Sequence, residues 1–254
     1  MIETIDTSSL KMAWSRLPWD ESVCHFPVLQ ITSLKVLGSH ATTDFRMFEQ
    51  TRDNLGAGLV SCRIPHNSLV ESMLLEDNGF RFIEMLYTPE LDLSATEEVQ
   101  NGNLLAVNRA IEMDMPALLD IAGTSFHHER FKMDLRLDPR ISDQRFQNWV
   151  TSSLHHPSQE LYVVRDGERR ISFFIIELLK DGTCYWHLNA VAPDAQGQGY
   201  GKRVWMSMLH HAFKSGAKRV RTSIAARNHR VLNLYARLGF TFQTPSMTFH
   251  WVRA

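Results

Sequence analysis

The chain has 254 residues, a formal net charge of -1 and a pI near 6.9, long enough for one large domain or two modest ones with separate cores. That balance offers no basic field of the kind that draws proteins to nucleic-acid phosphates or anionic lipid, so neither is expected as a partner. The three cysteines, Cys24, Cys62 and Cys184, are widely spaced and odd in number, which argues against a disulfide framework and a paired-cysteine zinc site and reads as buried free thiols.

No basic start followed by an apolar run opens the chain, and no stretch approaches the ~18 apolar residues of a membrane span. A cytoplasmic protein is expected. From Pro27 the pattern alternates: PVLQI, an amphipathic segment from Asp44 to Leu55, LVSCRI, a second amphipathic segment from Ser68 to Glu76, then FRFIEMLY. This predicts a β-α-β-α-β domain over residues 1–93, with Asn78-Gly79 ending the second helix because glycine takes the left-handed turn at no steric cost. Pro89 to Asn103 is polar and acidic and reads as a linker. No internal repeat is evident.

The second half, residues 104–254, starts with an expected strand from Leu104 to Arg109. Asp114 is a candidate N-cap for a helix carrying Pro116, Leu118, Leu119 and Ala122. His127 to Asp143 is irregular and rich in Arg, His and Phe; Gln144 to Leu154 reads as helix. Strands at Leu161–Arg165 and Ile171–Leu179 meet at the hairpin signal Asp166-Gly167, and Asp181-Gly182 leads into another strand from Cys184 to Val191. Met247 to Val252 alternates like a strand and is a candidate exposed edge for homodimer pairing.

After Val191 the sequence PDAQGQGYG leaves a strand and enters a helix marked by Trp205, Met208, Leu209, Ala212 and Phe213, closed by Gly216. Glycines at such a junction allow successive backbone amides to close around an anion at the positive end of the helix dipole. A dinucleotide fingerprint would carry an acidic residue at the end of the next strand, and Arg221 to Arg227 holds none. The Lys-Ser/Thr of a phosphate loop is also missing.

The run Gln196-x-x-Gly199-x-Gly201 behind Val191-x-Pro193, followed by Asn228, Tyr235 and Leu238-Gly239-Phe240, resembles the coenzyme-A signature of the Gcn5-related N-acetyltransferases (GNAT) across residues 104 to 252. The leading Leu17-Pro18-Trp19-Asp20-Glu21-Ser22 and Phe26-Pro27, with the β-α-β-α-β module behind, resemble the TDP-amino-sugar N-acetyltransferases of the fucosamine type. Val23-Cys24-His25 departs from that group, where an aromatic pair and a glycine are expected. The resemblance implies an α/β fold of the α+β kind: a mixed, mostly antiparallel sheet flanked by helices, with the smaller N-terminal domain before it.

It also implies roles. Backbone groups of Asn189, Ala190 and Val191, on a strand splayed from its neighbour, hold the pantetheine arm and thioester oxygen of acetyl-CoA. Amides of Gln196, Gly197, Gln198, Gly199, Tyr200, Gly201 and Lys202 hold the pyrophosphate. Tyr235 protonates the leaving thiolate, or packs in the core with Leu234 and Leu238. Asn228 holds the cofactor arm, caps its helix, or does both. For the base, His187 shares a strand face with Asn189; Glu177 and a water chain are rivals. Arg130 and Phe131 are candidates to clamp a nucleotide-sugar acceptor, against a solvated loop with one anchored residue. The basic Lys218-Arg219-Arg221 cluster is a solvated face or touches the adenosine phosphate. The adjacent histidines diverge and lack a third ligand, so no metal is expected.

The expected activity is acetylation of a primary amine on a small molecule, foremost a nucleotide-linked amino sugar. Another amine (antibiotic, polyamine or protein N-terminus) and a non-catalytic acyl-CoA-binding module are the alternatives.

Overall fold

A computed structural model describes residues 2–94 and 103–253. The chain divides into two compact units: Met1–Leu86 with Arg130–Ile141 and Thr244–Ala254, and Tyr87–Glu129 with Ser142–Gln243. Arg130–Ile141, Thr244–Ala254 and the boundary at Tyr87 thus depart from the expected division at 1–93 and 104–254, and strand pairing explains the second of them.

In the first unit, β1 (Ile2–Asp6) and β2 (Leu10–Arg16) form a hairpin that precedes the expected module. Its sequence signal was the inward alternation of Leu10, Met12 and Trp14. Helix α1 (Pro18–Cys24) leads to β3 (Val28–Val36), α2 (Ala41–Asn54), β4 (Leu59–Pro65), α3 (Leu69–Asp77) and β5 (Arg81–Asp92). The α2 stripe of Ala41, Phe45, Phe48 and Arg52 has helical spacing. Phe45 and Phe48 are wholly buried against Trp14, Leu29, Val60 and Phe80, a burial that contributes about 1.5–3 kcal/mol for each ring. Asn78 and Gly79 end α3, with Gly79 at φ 81°. Of the expected linker, Pro89 to Asp92 is the end of β5, and residues 95–102 lie outside the described residues.

The second unit contains β6 (Ala106–Arg109), α4 (Met115–Thr124), α6 (Arg140–Ser153, shared at its start with the first unit), β7 (Glu160–Asp166), β8 (Arg169–Leu178) and β9 (Thr183–Val191). The short α5 (Arg130–Met133) belongs to the first unit. Then follow α7 (Tyr200–Lys214), β10 (Arg219–Thr222), β11 (Ile224–Ala225), α8 (His229–Arg237) and β12 (Thr241–Val252). Asp114 makes no side-chain cap on α4. Wholly buried, it receives bonds from Arg165 at 2.5 Å and Arg170 at 2.7 Å instead, as well as from the Ile111 amide; two guanidinium partners offset its desolvation where a cap alone would not.

Each unit repeats one strand pattern. In the first, β1, β2 and β3 are successively antiparallel, β3 runs parallel to β4 across α2, and β4 pairs antiparallel with β12. In the second, β7, β8 and β9 are successively antiparallel, β9 runs parallel to β10 across α7, and β10 pairs antiparallel with β5. The final strand of each half of the sequence therefore completes the sheet of the other half. One constant spacing also relates Gly56-Ala57 to Gly216-Ala217, Ile64 to Ile224 and Gly79-Phe80 to Gly239-Phe240, and all four glycines have positive φ. An internal repeat is thus present where none was expected, its sequence signal thinned to turn and core positions. It also accounts for Thr244–Ala254 joining the first unit. The Met247–Val252 stretch lies between β4 and β5 in the strand order, so its backbone is paired and it is no exposed edge.

Candidate functional site

Along β9, Trp186, Leu188 and Ala190 are buried while Tyr185, His187, Asn189 and Val191 are half-buried. A register shift at His187 breaks the strand's two-residue period, so Asn189, opposite Phe174, lies on the Trp186 face and does not share the expected face with His187. β10 accompanies β9 from Arg219 opposite Thr183 to Thr222 opposite Trp186, and stops. The Thr222 hydroxyl donates to the Trp186 carbonyl at 2.8 Å. Beyond that rung β9 continues to Val191 paired, among the described residues, with β8 alone. The two strands fork, and the main chain of Asn189, Ala190 and Val191 borders the opening.

Tyr235 stands at this fork. It is 2% exposed, its ring set edge-on to Phe240 at 4.8 Å and to Trp205 at 6.1 Å, and its hydroxyl faces the side chains of Trp205, Thr222 and Asn189. Burial pushes its phenol up to about 12, against the opposing pull of those three neighbours. Asn228 caps α8 by accepting from the Val231 amide at 3.3 Å.

The glycine junction lies past the end of β9. A single helical turn at Pro193–Ala195 is followed by Gly197 at φ 79° and Gly199 at φ 82°, a left-handed geometry that side chains resist. A Cβ on either glycine would meet nothing within 4 Å, so the main chain there is bare. Gly201 has no such backbone demand, and a Cβ on it would touch only Leu234, at 3.7 Å. The Gln196 amide is turned to the Ala192 and Pro193 carbonyls and that of Gln198 to Ala195. Their side chains brace the loop, on Val191 O at 3.0 Å and Asp194 O at 2.6 Å. The amides of Tyr200, Gly201 and Lys202 open α7 and have no acceptor within the helix. The Tyr200 hydroxyl donates to Asp166 at 2.7 Å, a bond that raises its own pKa.

His187 and Glu177, expected as rivals, are bonded to one another at 2.9 Å. Trp149 of α6 lies 6.1 Å from the His187 ring and Tyr185 4.9 Å. Sequence reasoning did not single out Thr222, Trp205 or Trp149; the first two sat in the strand alternation and the α7 stripe, read as core.

Arg130 and Phe131 belong to the first unit. Phe131 is wholly buried among Leu17, Val23, Val28, Leu59 and Leu137, so its ring offers no face to a ligand. The Arg130 guanidinium pairs with the wholly buried Asp20 at 3.0 Å and lies 3.3 Å from Nε2 of His250. His250 Nδ1 is 3.0 Å from Asp134, which also binds Arg136 at 2.8 Å. Arginine only donates, so Nε2 accepts and Nδ1 carries the hydrogen. Burial pushes His250 down to about 4, with Asp134 opposing and Arg130 and Arg136 assisting. Burial would raise the Asp134 carboxyl, but the bonds from His250 and Arg136 outweigh it and hold the group below the usual carboxylate range. The anticipated acceptor clamp is thus a buried structural network, because its aromatic half was needed for the core. Arg221 likewise faces Glu90 at 2.6 Å. All three cysteines are buried, as expected.

Among the described residues no helix is long and apolar enough to cross a membrane. The family model described as the acetyltransferase (GNAT) family matches residues 117–240. A spore coat polysaccharide biosynthesis protein of Bacillus subtilis (strain 168) is 23% identical over 137 residues, 54% of this chain and 47% of that protein. A mycothiol acetyltransferase of Saccharopolyspora erythraea is 28% identical over 133 residues, 50% of this chain and 40% of that protein. The chain therefore spans less than half the length of these two relatives. A solved GCN5-related N-acetyltransferase from Sphaerobacter thermophilus is similar in fold, with a TM-score of 0.64 at 14% identity over 98% of this chain and 82% of that one. The stretch that matches the acetyltransferase (GNAT) family model, residues 117–240, holds the forked strands, the glycine junction and α8.

Proposed function

We propose that the chain is an acetyl-CoA-dependent N-acetyltransferase acting on a primary amine of a small molecule, with a nucleotide-linked amino sugar as acceptor. The observation that carries this reading is the fork beyond Trp186 and Thr222 with the buried Tyr235 hydroxyl turned into it. The similarity to the Bacillus spore coat polysaccharide biosynthesis protein supports the acceptor class.

In this reading the main chain of Asn189, Ala190 and Val191 holds the pantetheine arm and orients the thioester oxygen toward backbone donors. The bare main chain at Gly197 and Gly199 suits close approach of a diphosphate, and the amides of Tyr200, Gly201 and Lys202, at the positive end of α7, bind it. This narrows the expected cradle, since the Gln196 and Gln198 amides are engaged within the loop. Tyr235 keeps its proton at neutral pH and gives it to the departing thiolate. Burial makes that transfer feasible: the protein's own buried thiols Cys62 and Cys184 are pushed up to about 12, the same value as Tyr235. A thiolate released into an equally dry place is a comparable base. Asn228 sets the start of α8 and so the height of Tyr235 in the fork.

The test is acetyl transfer from acetyl-CoA to TDP-linked amino sugars beside polyamines, aminoglycosides and peptide N-termini, with acetyl-CoA binding measured separately. Turnover of the sugar nucleotides alone supports the acceptor; turnover of another amine corrects it; binding without turnover of any amine favours an acyl-CoA-binding module.

A further inference from the structure

We infer that Glu177 is a positioning residue that fixes the tautomer of His187, leaving His187 Nδ1 as the base for the acceptor amine. The inference rests on the proposed acetyl transfer and adds a part that the family match does not assign.

Three observations converge on the pair. First, the β8–β9 register slips at this point: Ile175 lies opposite Leu188 and Ile176 opposite Trp186. His187 is the extra residue of a bulge, and bulges re-aim a side chain beside a site. Second, His187 is the first β9 residue past the rung at which β10 leaves, two positions before Asn189, whose side chain faces the Tyr235 hydroxyl. The bulge breaks the two-residue period, so Asn189, opposite Phe174, lies on the Trp186 face, and the imidazole and Asn189 flank the fork from opposite sides. Third, the bond from His187 to Glu177 runs through Nε2 at 2.9 Å. A carboxylate accepts and does not donate, so Nε2 carries the hydrogen and Nδ1 keeps its lone pair.

The surroundings suit an acceptor. Trp149 and Tyr185 flank the imidazole, and the Trp149 indole is held in place by Gln159 at 3.0 Å. Both His187 and Glu177 retain about a fifth to a quarter of their side-chain exposure, which gives the abstracted proton a way out. Trp186, on the opposite face, packs with Phe174, itself stacked edge-on to Trp205 of α7. The acceptor thus comes from the α6 face and the donor from the α7 face, meeting where the strands part.

The protons balance. An ammonium acceptor gives one proton to Nδ1, which passes it to solvent. The neutral nitrogen then attacks the thioester carbon, forming C–N as C–S breaks. Tyr235 protonates the leaving sulfur, and the second proton shed by the nitrogen restores the phenol.

The test uses the full chain. Long-range 1H–15N spectra of wild type, with His187→Gln to assign the ring, should show hydrogen on Nε2 and a bare Nδ1, and in Glu177→Gln that preference should be lost. With acetyl-CoA and a TDP-linked amino hexose, His187→Ala should lose ~100-fold in kcat with acetyl-CoA binding changed less than about twofold. Free imidazole should restore part of the lost rate, and Glu177→Asp should restore more than Glu177→Gln. A proton on Nδ1 in wild type, or a His187→Ala enzyme within about threefold of wild type, would overturn the inference. Should wild type acetylate no sugar nucleotide, the proposed acceptor fails while the spectra still decide the tautomer.

Discussion

The hydroxyl of Thr222 donates to the carbonyl of Trp186 at 2.8 Å, and this bond is the last rung joining β10 to β9. One residue further the strands separate, so a short side-chain bond between buried groups defines where the sheet opens. Thr222→Val keeps the shape and removes the donor. It should lower stability by about 1–3 kcal/mol, the cost of an unsatisfied buried carbonyl, read as a reduced urea midpoint with unchanged slope.

Tyr235 should separate chemistry from binding. Tyr235→Phe keeps the packing on Phe240 and Trp205 and loses the acid, so kcat should fall by ~100-fold or more while acetyl-CoA affinity, read by calorimetry, stays within about twofold. A variant with unaltered kcat would return Tyr235 to a packing role.

Alkali should weaken the fold in a defined window. Cys62 and Cys184 move from 9.0 to about 12, and Tyr162 and Tyr235 from 10.0 to about 12, burial being the leading cause for each. The folded state holds these protons more tightly than the unfolded chain. Their contribution is therefore complete below about pH 9 and lost progressively toward pH 12. Denaturant midpoints should fall across that interval, and less steeply in Cys62→Ser, whose lowered overall stability is corrected by comparing slopes.

The opposite sign applies to His250. Its folded pKa of about 4 lies below the reference 6.5, so the unfolded chain takes up a proton that the fold refuses. Stability is full above about pH 6.5 and declines toward pH 4, a slope that His250→Gln should lose. Arg130→Ala removes the ion pair from the wholly buried Asp20 and should cost about 3–5 kcal/mol; an acceptor-clamp role would instead raise KM and leave the melting temperature alone.

The two halves should differ in donor binding. In the first unit β3 and β4 also part, after Ile31 opposite Cys62, but the Val36 amide there is taken by Glu71 of α3 at 3.1 Å. Leu75 stands where the repeat spacing puts Tyr235, and no glycine-rich loop precedes α2. Calorimetry should give one acetyl-CoA per chain, abolished by Gly199→Leu. Gly197→Ala and Gly199→Ala should each cost about 1–2 kcal/mol for a left-handed backbone, whereas Gly201→Ala should be close to neutral.

The sequence by itself determined the parts that local chemistry dictates. Periodicity located α2, β4, α3, β7, β8, β9 and α7; glycines with positive φ marked turns among them; and the ordered run from Val191 to Phe240 carried the resemblance to the family whose model matches residues 117–240. Such features depend on neighbours a few residues away, so they are written in the order of the chain. Tertiary structure decided what depends on distant partners. Asp114 proved to be a buried ion-pair centre because Arg165 and Arg170 arrive from two other strands. Phe131 was drawn into a core, and the final strand found its place beside β4. His187 and Glu177, ten residues apart, became one unit only when a bulge aimed one at the other. Sequence spacing gives the side a residue faces only along an unbroken strand; where a bulge turns that side over, which strand lies alongside, and where two strands part are settled by packing across the whole chain.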